Sequence, residues 1–191
     1  MIIGITGKKK SGKDTLFSMF AGVSADFNRF AFGDDLKAEV AYACGVTVKF
    51  INDNKDVFRP VLQWWGTDFR RNCCGKDYWV AKMRDQLSFP SINASRIPVI
   101  TDVRFINEAA FVKSMGGVMV RVVGGKSEDG DEHLSECEMD SIPVEYVIDN
   151  HYGLEMLAAS AMTLLKDLQD KRLLGGINMP DATLFDAAGT R

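Results

Sequence analysis

The chain has 191 residues, 46% of them hydrophobic and 26% charged, with a formal net charge of −3. A length of this order holds one compact domain that buries roughly 70% of its unfolded surface, so neither disulfides nor a metal is needed to hold it together. The balance of residue types excludes a disordered chain, a membrane class and a broad polyanion-binding face, and leaves any phosphate recognition to a few aimed cations.

Residues 2–5, Ile-Ile-Gly-Ile, read as a buried strand. They lead into Gly7-Lys8-Lys9-Lys10-Ser11-Gly12-Lys13-Asp14-Thr15, followed by a helical stretch over 13–22. Gly7 and Gly12 let the backbone fold tightly with its amide hydrogens turned inward, and the helix aims its positive end at the same spot. This is a phosphate-binding loop. Lys13 is placed to reach β and γ phosphates, with Lys10 and Ser11 in the same curve. Asp14 stands where the general pattern has Ser or Thr, and Thr15 comes one position later. The magnesium ligand is therefore open between Asp14, Thr15 and an acid further along, Asp102.

A second strand over 28–32 stops at Gly33-Asp34-Asp35, which can cap a helix reaching residue 43. Residues 45–90 contain no convincing strand. Within them, 56–71 and 77–87 carry apolar residues at helical spacing, interrupted by Pro60 and Gly66, so the segment reads as a helical insertion between strands. Strand composition resumes over 97–102, a helix over 107–115 stops at Gly116-Gly117, and a fourth strand spans 118–123. The β-α-β rhythm implies a parallel sheet covered on both faces. Residues 124–140 are polar and acidic, a loop of the kind that closes over ligands. A fifth strand over 144–150 and an amphipathic helix over 154–173 complete a domain of residues 1–174. The tail, 175–191, has no periodicity and reads as partly ordered or as an oligomer contact, which makes a homodimer one expected assembly.

Cys44, Cys73, Cys74 and Cys137 show no CxxC pair and no histidines at metal spacing, so they read as reduced thiols. The start of the chain has no basic segment ahead of an apolar one, and no apolar run approaches the roughly 20 residues of a membrane span. A cytoplasmic protein is expected.

Transfer of a phosphoryl group asks a protein to place two phosphates in line, neutralise the spreading charge and exclude water. The insertion offers Arg59, Arg70 and Arg71 around Gln63-Trp64-Trp65, a set of cations, an amide and flat rings suited to a nucleoside monophosphate. The same residues also read as core tryptophans beside a solvated arginine face. Asp102 ends the third strand at the edge where open α/β sheets bind ligands, with Arg104, Asn107 and Glu108 after it. It is either a functional acid or the N-cap of the next helix. Asp34 and Asp35 carry the same two readings ahead of Lys37. His133 and Glu136 lie in the acidic loop, where a lone histidine is ordinarily solvated surface.

In this order the motifs resemble the deoxynucleoside monophosphate kinases of tailed bacteriophages. Ser11-Gly12-Lys13-Asp14-Thr15 is similar to the family's loop, and Phe32-Gly33-Asp34-Asp35-Leu36-Lys37 to its Ala-Asp-Pro-Leu-Lys segment. The run Asp102-Val103-Arg104-Phe105-Ile106-Asn107-Glu108 is similar to its Asp-Val-Arg-Phe-x-Asn-Glu signature, and His133-x-Ser135-Glu136 to its lid motif. Ile148-Asp149-Asn150 also fits.

The resemblance implies a three-layer α/β/α P-loop kinase fold with a five-stranded parallel sheet, a helical acceptor-binding insertion and a lid. It implies transfer from ATP, with Mg2+, to a deoxynucleoside monophosphate in the cytoplasm of a phage's host. Small nucleotides are then the partners, with no nucleic acid or membrane. It also implies donor contacts at Gly12, Lys13 and Thr15, acceptor contacts at Asp34, Lys37, Arg59, Arg70 and Arg104, and lid closure through His133 and Glu136. The leading reading gives catalysis to Lys13, Arg104 and one of Asp34 or Asp102; no family motif fixes the base-reading residues, and from the residues themselves base contact falls to Gln63 and the tryptophans, Trp64 first. The alternatives are a dephospho-coenzyme A kinase or other small-metabolite kinase, and a nucleotide switch. No Asn-Lys-x-Asp guanine motif supports the switch.

Overall fold

The computed structural model describes residues 1–89, 96–124, 138–171 and 173. Strand β1 (Ile3–Thr6) is buried along its whole length, as befits a central strand in a sheet covered on both faces. Helix α1 (Lys13–Val23) returns the chain to β2 (Phe27–Phe30), and α2 (Phe32–Cys44) follows. The insertion comprises α3 (Val48–Asp53), α4 (Lys55–Gln63), a π-helical segment (Trp64–Arg71), a helical turn (Asn72–Cys74) and α5 (Tyr78–Ser88). The chain re-enters the sheet as β3 (Ile97–Ile100). Then come α6 (Ile106–Ser114), β4 (Val118–Gly124), β5 (Tyr146–Asn150) and α7 (Leu154–Asp170).

All five strands run parallel in the order β2-β3-β1-β4-β5, with Ile3 beside Val99 on one side and Val118 on the other. The chain first builds one side of β1 and then crosses to the other with β4. The order thus reverses at β1, which puts the binding crevice beyond its carboxyl end.

Alternation along the strands sends Ile3, Ile5, Val118, Val120 and Val122 to one face, against Leu16 and Phe20 of α1 and Leu157, Leu164, Leu165 and Leu168 of α7. Ile2, Ile100 and Met119 join the other cluster, with Trp79, Val80 and Met83 of α5 and Phe111 and Val112 of α6. Each such side chain contributes about 1.5–3 kcal/mol by leaving water. The three layers are those the sequence implies. A further cluster of Val40, Ala41 and Ile51, joined by Leu36, Phe58, Leu62 and Trp65, fastens α3 and α4 to α2.

Three expectations are corrected. The second strand ends at Phe30, and Phe32 already begins α2, so Asp34 and Asp35 lie in its first turn and cap nothing; the N-cap position is Ala31. Pro60 does not interrupt a helix but sits within α4, and the change of geometry comes at Trp64. Helix α3 has no counterpart in the sequence reading. Of the expected lid, residues 125–137 lie outside the described residues, and with them His133, Glu136 and Cys137. So does the tail, 175–191. Cys44, Cys73 and Cys74 are free and exposed. No described helix is long and apolar enough to cross a membrane.

Candidate active site

The loop between β1 and α1 takes its shape from two glycines. Gly7 has φ +141°, and a Cβ there would lie 2.3 Å from the carbonyl oxygen of Val122. Gly12 has φ +108°, and a Cβ there would lie 2.4 Å from Asn150 Nδ2. Only glycine fits either position. The Lys13 ammonium donates to the carbonyls of Gly7 (2.5 Å) and Lys8 (2.7 Å), which keeps it inside the curve of the loop. Asn150, at the end of β5, donates through Nδ2 to the carbonyl of Ser11 (2.8 Å) and ties the loop to the far side of the sheet. The hydroxyl of Ser11 is buried with no hydrogen-bond partner among the described residues. An orphaned polar atom of this kind calls for an explanation, and a bound polar ligand supplies one.

Beside the loop opens a cleft of about 340 Å³. Lys9, Lys10, Lys13 and Asp14 line one side of it. Arg29, Asp34 and Lys37 come from β2 and α2, Lys55, Arg59 and Gln63 from α4, and Arg71 and Arg104 from the walls beyond. Nine of the lining residues are basic and four acidic, in a chain whose net charge is −3. The cations are thus gathered where two phosphorylated molecules could meet. Asp34 sits at this edge, paired to Arg29 at 2.7 Å and 4.0 Å from Lys37.

Asp102 is a cap, though for α2, whose first residue lies 70 positions earlier in the chain, and not for the helix that follows it. Its two oxygens accept the amide hydrogens of Phe32 and Gly33, each at 2.8 Å, at the start of α2. Burial raises its pKa above the ordinary aspartate range, against the pull of those amide hydrogens and of Arg104. The carboxylate also lines the cleft, so the cap and the ligand edge are one place.

The π-helical segment corrects the choice between the paired arginines. A π-turn advances the side chains around the axis by less per residue than an α-turn does, and it carries Arg70 to the outside and Arg71 to the cleft. Arg70 pairs with Glu39 at 2.7 Å and lies over the rings of Phe69 and Tyr78. Arg71 is buried, ion-paired with Glu108, and stacked 3.8 Å from the Phe105 ring. Trp64 is half exposed and stacks on Phe69, away from the cleft, while Gln63 faces it. Trp65 gives its indole N–H to Glu39. Of the residues expected at the base and acceptor phosphate, then, Gln63, Arg59, Lys37 and Arg104 line the cleft and Trp64 and Arg70 do not.

Glu108 serves the chain itself: beside its pair with Arg71, it accepts the amide hydrogens of Arg104 (2.7 Å) and Phe105 (3.1 Å). Burial pushes its carboxyl up to about 7 in spite of Arg71. Glu39, which no motif singles out, organises the back of the insertion. Partial burial works against ionisation there, but donors from Trp65, Tyr78, Lys82 and Arg70 hold its carboxyl down to about 2. Also missed were Arg29 and Lys55, which left no signal; Asn150 figures only within the Ile148-Asp149-Asn150 likeness, with no role assigned to it.

No group of three or more His, Cys, Asp or Glu able to hold a metal exists among the described residues. Asp14 is exposed on the cleft; Thr15 is half-buried and does not line it. That donor set suits magnesium, which takes one or two carboxylates and completes its shell with phosphate oxygens and water.

Comparison with known proteins bears on the fold and the family. A solved shikimate kinase from Aquifex aeolicus superposes with a TM-score of 0.52 at 13% identity, covering 92% of this chain and all of the other, a likeness of fold. The deoxynucleotide monophosphate kinase of Escherichia phage RB69 is 29% identical over 118 residues, 61% of this chain, which spans only about half (47%) of that relative's length. A protein of Acanthamoeba polyphaga mimivirus, provisionally given the same name, is 28% identical over 176 residues, 81% of this chain and 91% of its own. The profile of one family matches residues 45–160, which take in the insertion, Asp102, Arg104 and Asn150. By that match the chain belongs to the deoxynucleotide monophosphate kinase family.

Proposed function

We propose that the chain is an ATP-dependent kinase that transfers the terminal phosphoryl group to a deoxynucleoside 5′-monophosphate, giving the diphosphate and ADP. The observation that carries this reading is a single cleft with a phosphate loop on one side and a second cationic wall, Lys37, Arg59 and Arg104, on the other. A nucleotide switch needs the first and has no use for the second. The names of the phage and mimivirus relatives support the deoxynucleotide as acceptor, and their viral origin supports the cytoplasm of a host cell as the place of action. The partners are small nucleotides, since the cations gather in the cleft and the chain is negative overall.

The loop amides, the Ser11 hydroxyl and Lys13 hold the donor phosphates. Asp14 would hold magnesium, which would supply neutralisation of phosphate charge, while Asp102, both oxygens engaged by the amide hydrogens of α2, lines the same cleft. Arg104 and Arg59 hold the acceptor phosphate by their fork-shaped guanidinium groups, with Arg104 kept in place through the Glu108 contact to its amide. Asp34 sets the orientation of Arg29 and Lys37 at the acceptor side. Gln63 faces the base.

The test is a coupled assay of ADP release with each of the four deoxynucleoside monophosphates, their ribose counterparts and dephospho-coenzyme A. Release that depends on a deoxynucleotide, and that Lys13→Ala abolishes without lowering the melting temperature, is the expected result. Release with dephospho-coenzyme A alone would replace the acceptor, and background hydrolysis alone would replace the kinase.

A further inference from the structure

Lys55 is placed badly for stability and well for chemistry. It is the first residue of α4, at the end where the helix dipole favours an acid. Among the described residues it forms no ion pair, unlike Lys49, Lys82, Lys113 and Lys171, each of which has a carboxylate within reach. The residue is exposed on the cleft, yet its ammonium is partly withdrawn from water. That burial, followed by repulsion from Lys37, Arg104 and Lys9, holds its pKa below the ordinary lysine range, with Asp14 as the opposing charge.

Lys9 and Asp14 belong to the phosphate loop and the helix it opens, whereas Lys37 and Arg104 belong to the acceptor wall, and all four line the same cleft as Lys55. Lys55, at the first turn of α4, thus shares that cleft with both sets.

We propose that Lys55 is a further catalytic residue, a cation brought by the insertion to the phosphoryl group in transit between donor and acceptor. The inference rests on the kinase reading. In the transfer, a lone pair on an acceptor phosphate oxygen forms the new bond to the γ phosphorus. The bond from that phosphorus to the β–γ bridging oxygen breaks, and its electron pair leaves with ADP. The acceptor phosphate is already ionised at neutral pH, so no proton has to move. The oxygens of the transferred group carry the spreading charge, and a cation held against its own surroundings beforehand interacts more strongly there than one already paired.

The test compares Lys55→Met and Lys55→Arg with the wild type in kcat, in KM for ATP and for the best deoxynucleotide, and in melting temperature without nucleotide. Lys55→Met is expected to lower kcat by about a hundredfold, as for loss of one preorganised charge donor. Both KM values should move by less than about threefold, as for an interaction made mainly in the transition state. Its melting temperature should hold or rise, since repulsion is removed, and Lys55→Arg should recover part of the lost kcat. A kcat within about twofold of wild type would overturn the proposal. So would a rise in acceptor KM at unchanged kcat, or a kcat loss accompanied by a falling melting temperature and no rescue by arginine. If the wild type itself turns over no deoxynucleotide, the kinase reading fails and takes Lys55 with it; an active wild type beside an equally active Lys55→Met removes Lys55 alone.

Discussion

Asp102→Ala should be felt first in the stability of α2 rather than in chemistry. The carboxylate satisfies two of the amide hydrogens that any helix leaves without a partner in its first turn, those of Phe32 and Gly33. Phe32 is itself buried, so water cannot replace both contacts. Loss of a side-chain cap costs about 0.5–2 kcal/mol, and an amide left buried and unpaired adds about 1–3. The gain from no longer burying a carboxylate offsets part of this, and the net loss is about 3 kcal/mol. For a chain of this size that corresponds to a fall in melting temperature of about 6–12 °C. Asp102→Asn keeps one acceptor oxygen and turns its amino group toward the second amide, so its fall should be about half as large. The assay is thermal unfolding followed by far-UV circular dichroism, without nucleotide or magnesium, so that lost ligand binding adds nothing. An Asp102→Ala protein that melts with the wild type would refute the capping argument. An Asp102→Asn protein with unchanged melting but no turnover would make this acid a ligand of the reacting groups instead.

Two more predictions follow from the same geometry. The Glu39 carboxyl is held down to about 2 in the folded chain against 4.5 for an unperturbed group, so its contribution is present above pH 4.5 and is lost as pH falls toward 2. Glu39→Gln should cost about 1–2 kcal/mol near pH 7, after allowance for solvent screening, and the gap to wild type should close on titration from pH 5 to 2 in urea melts; a gap constant with pH would show that ionisation of this group contributes nothing. Trp64→Ala should leave acceptor KM within about twofold of wild type while Arg104→Ala raises it about tenfold or more, as expected for a side chain stacked outside the cleft and for one lining it. The reverse order in steady-state kinetics would restore the tryptophan to the acceptor site.

The phosphate loop was legible because its information is local: a buried strand, two glycines and a lysine lie within twelve consecutive residues, and backbone sterics at Gly7 and Gly12 dictate the curve. The sheet was legible for a related reason, since the alternation of apolar runs with helical periods leaves few topologies besides a parallel α/β stack. The acceptor side was harder. Arg70 and Arg71 are adjacent and chemically identical, so only the turn they occupy distinguishes them, and nothing in the composition of residues 64–71 announces a π-helix.

Asp102 shows the same limit from another direction. A carboxylate at a strand end was bound to find amide hydrogens, but which helix supplied them depended on β2 lying next to β3 in the sheet. Lys55 had no local signal at all, for its importance comes from charges contributed by the loop, by α2 and by the turn after β3. The sequence by itself determined the phosphate loop, the five parallel strands and the family likeness, because each is written in short-range pattern. The tertiary structure alone decided which arginine faces the cleft, which helix Asp102 caps and where Lys55 stands, because burial, pairing and repulsion act between groups that meet only when the chain has folded.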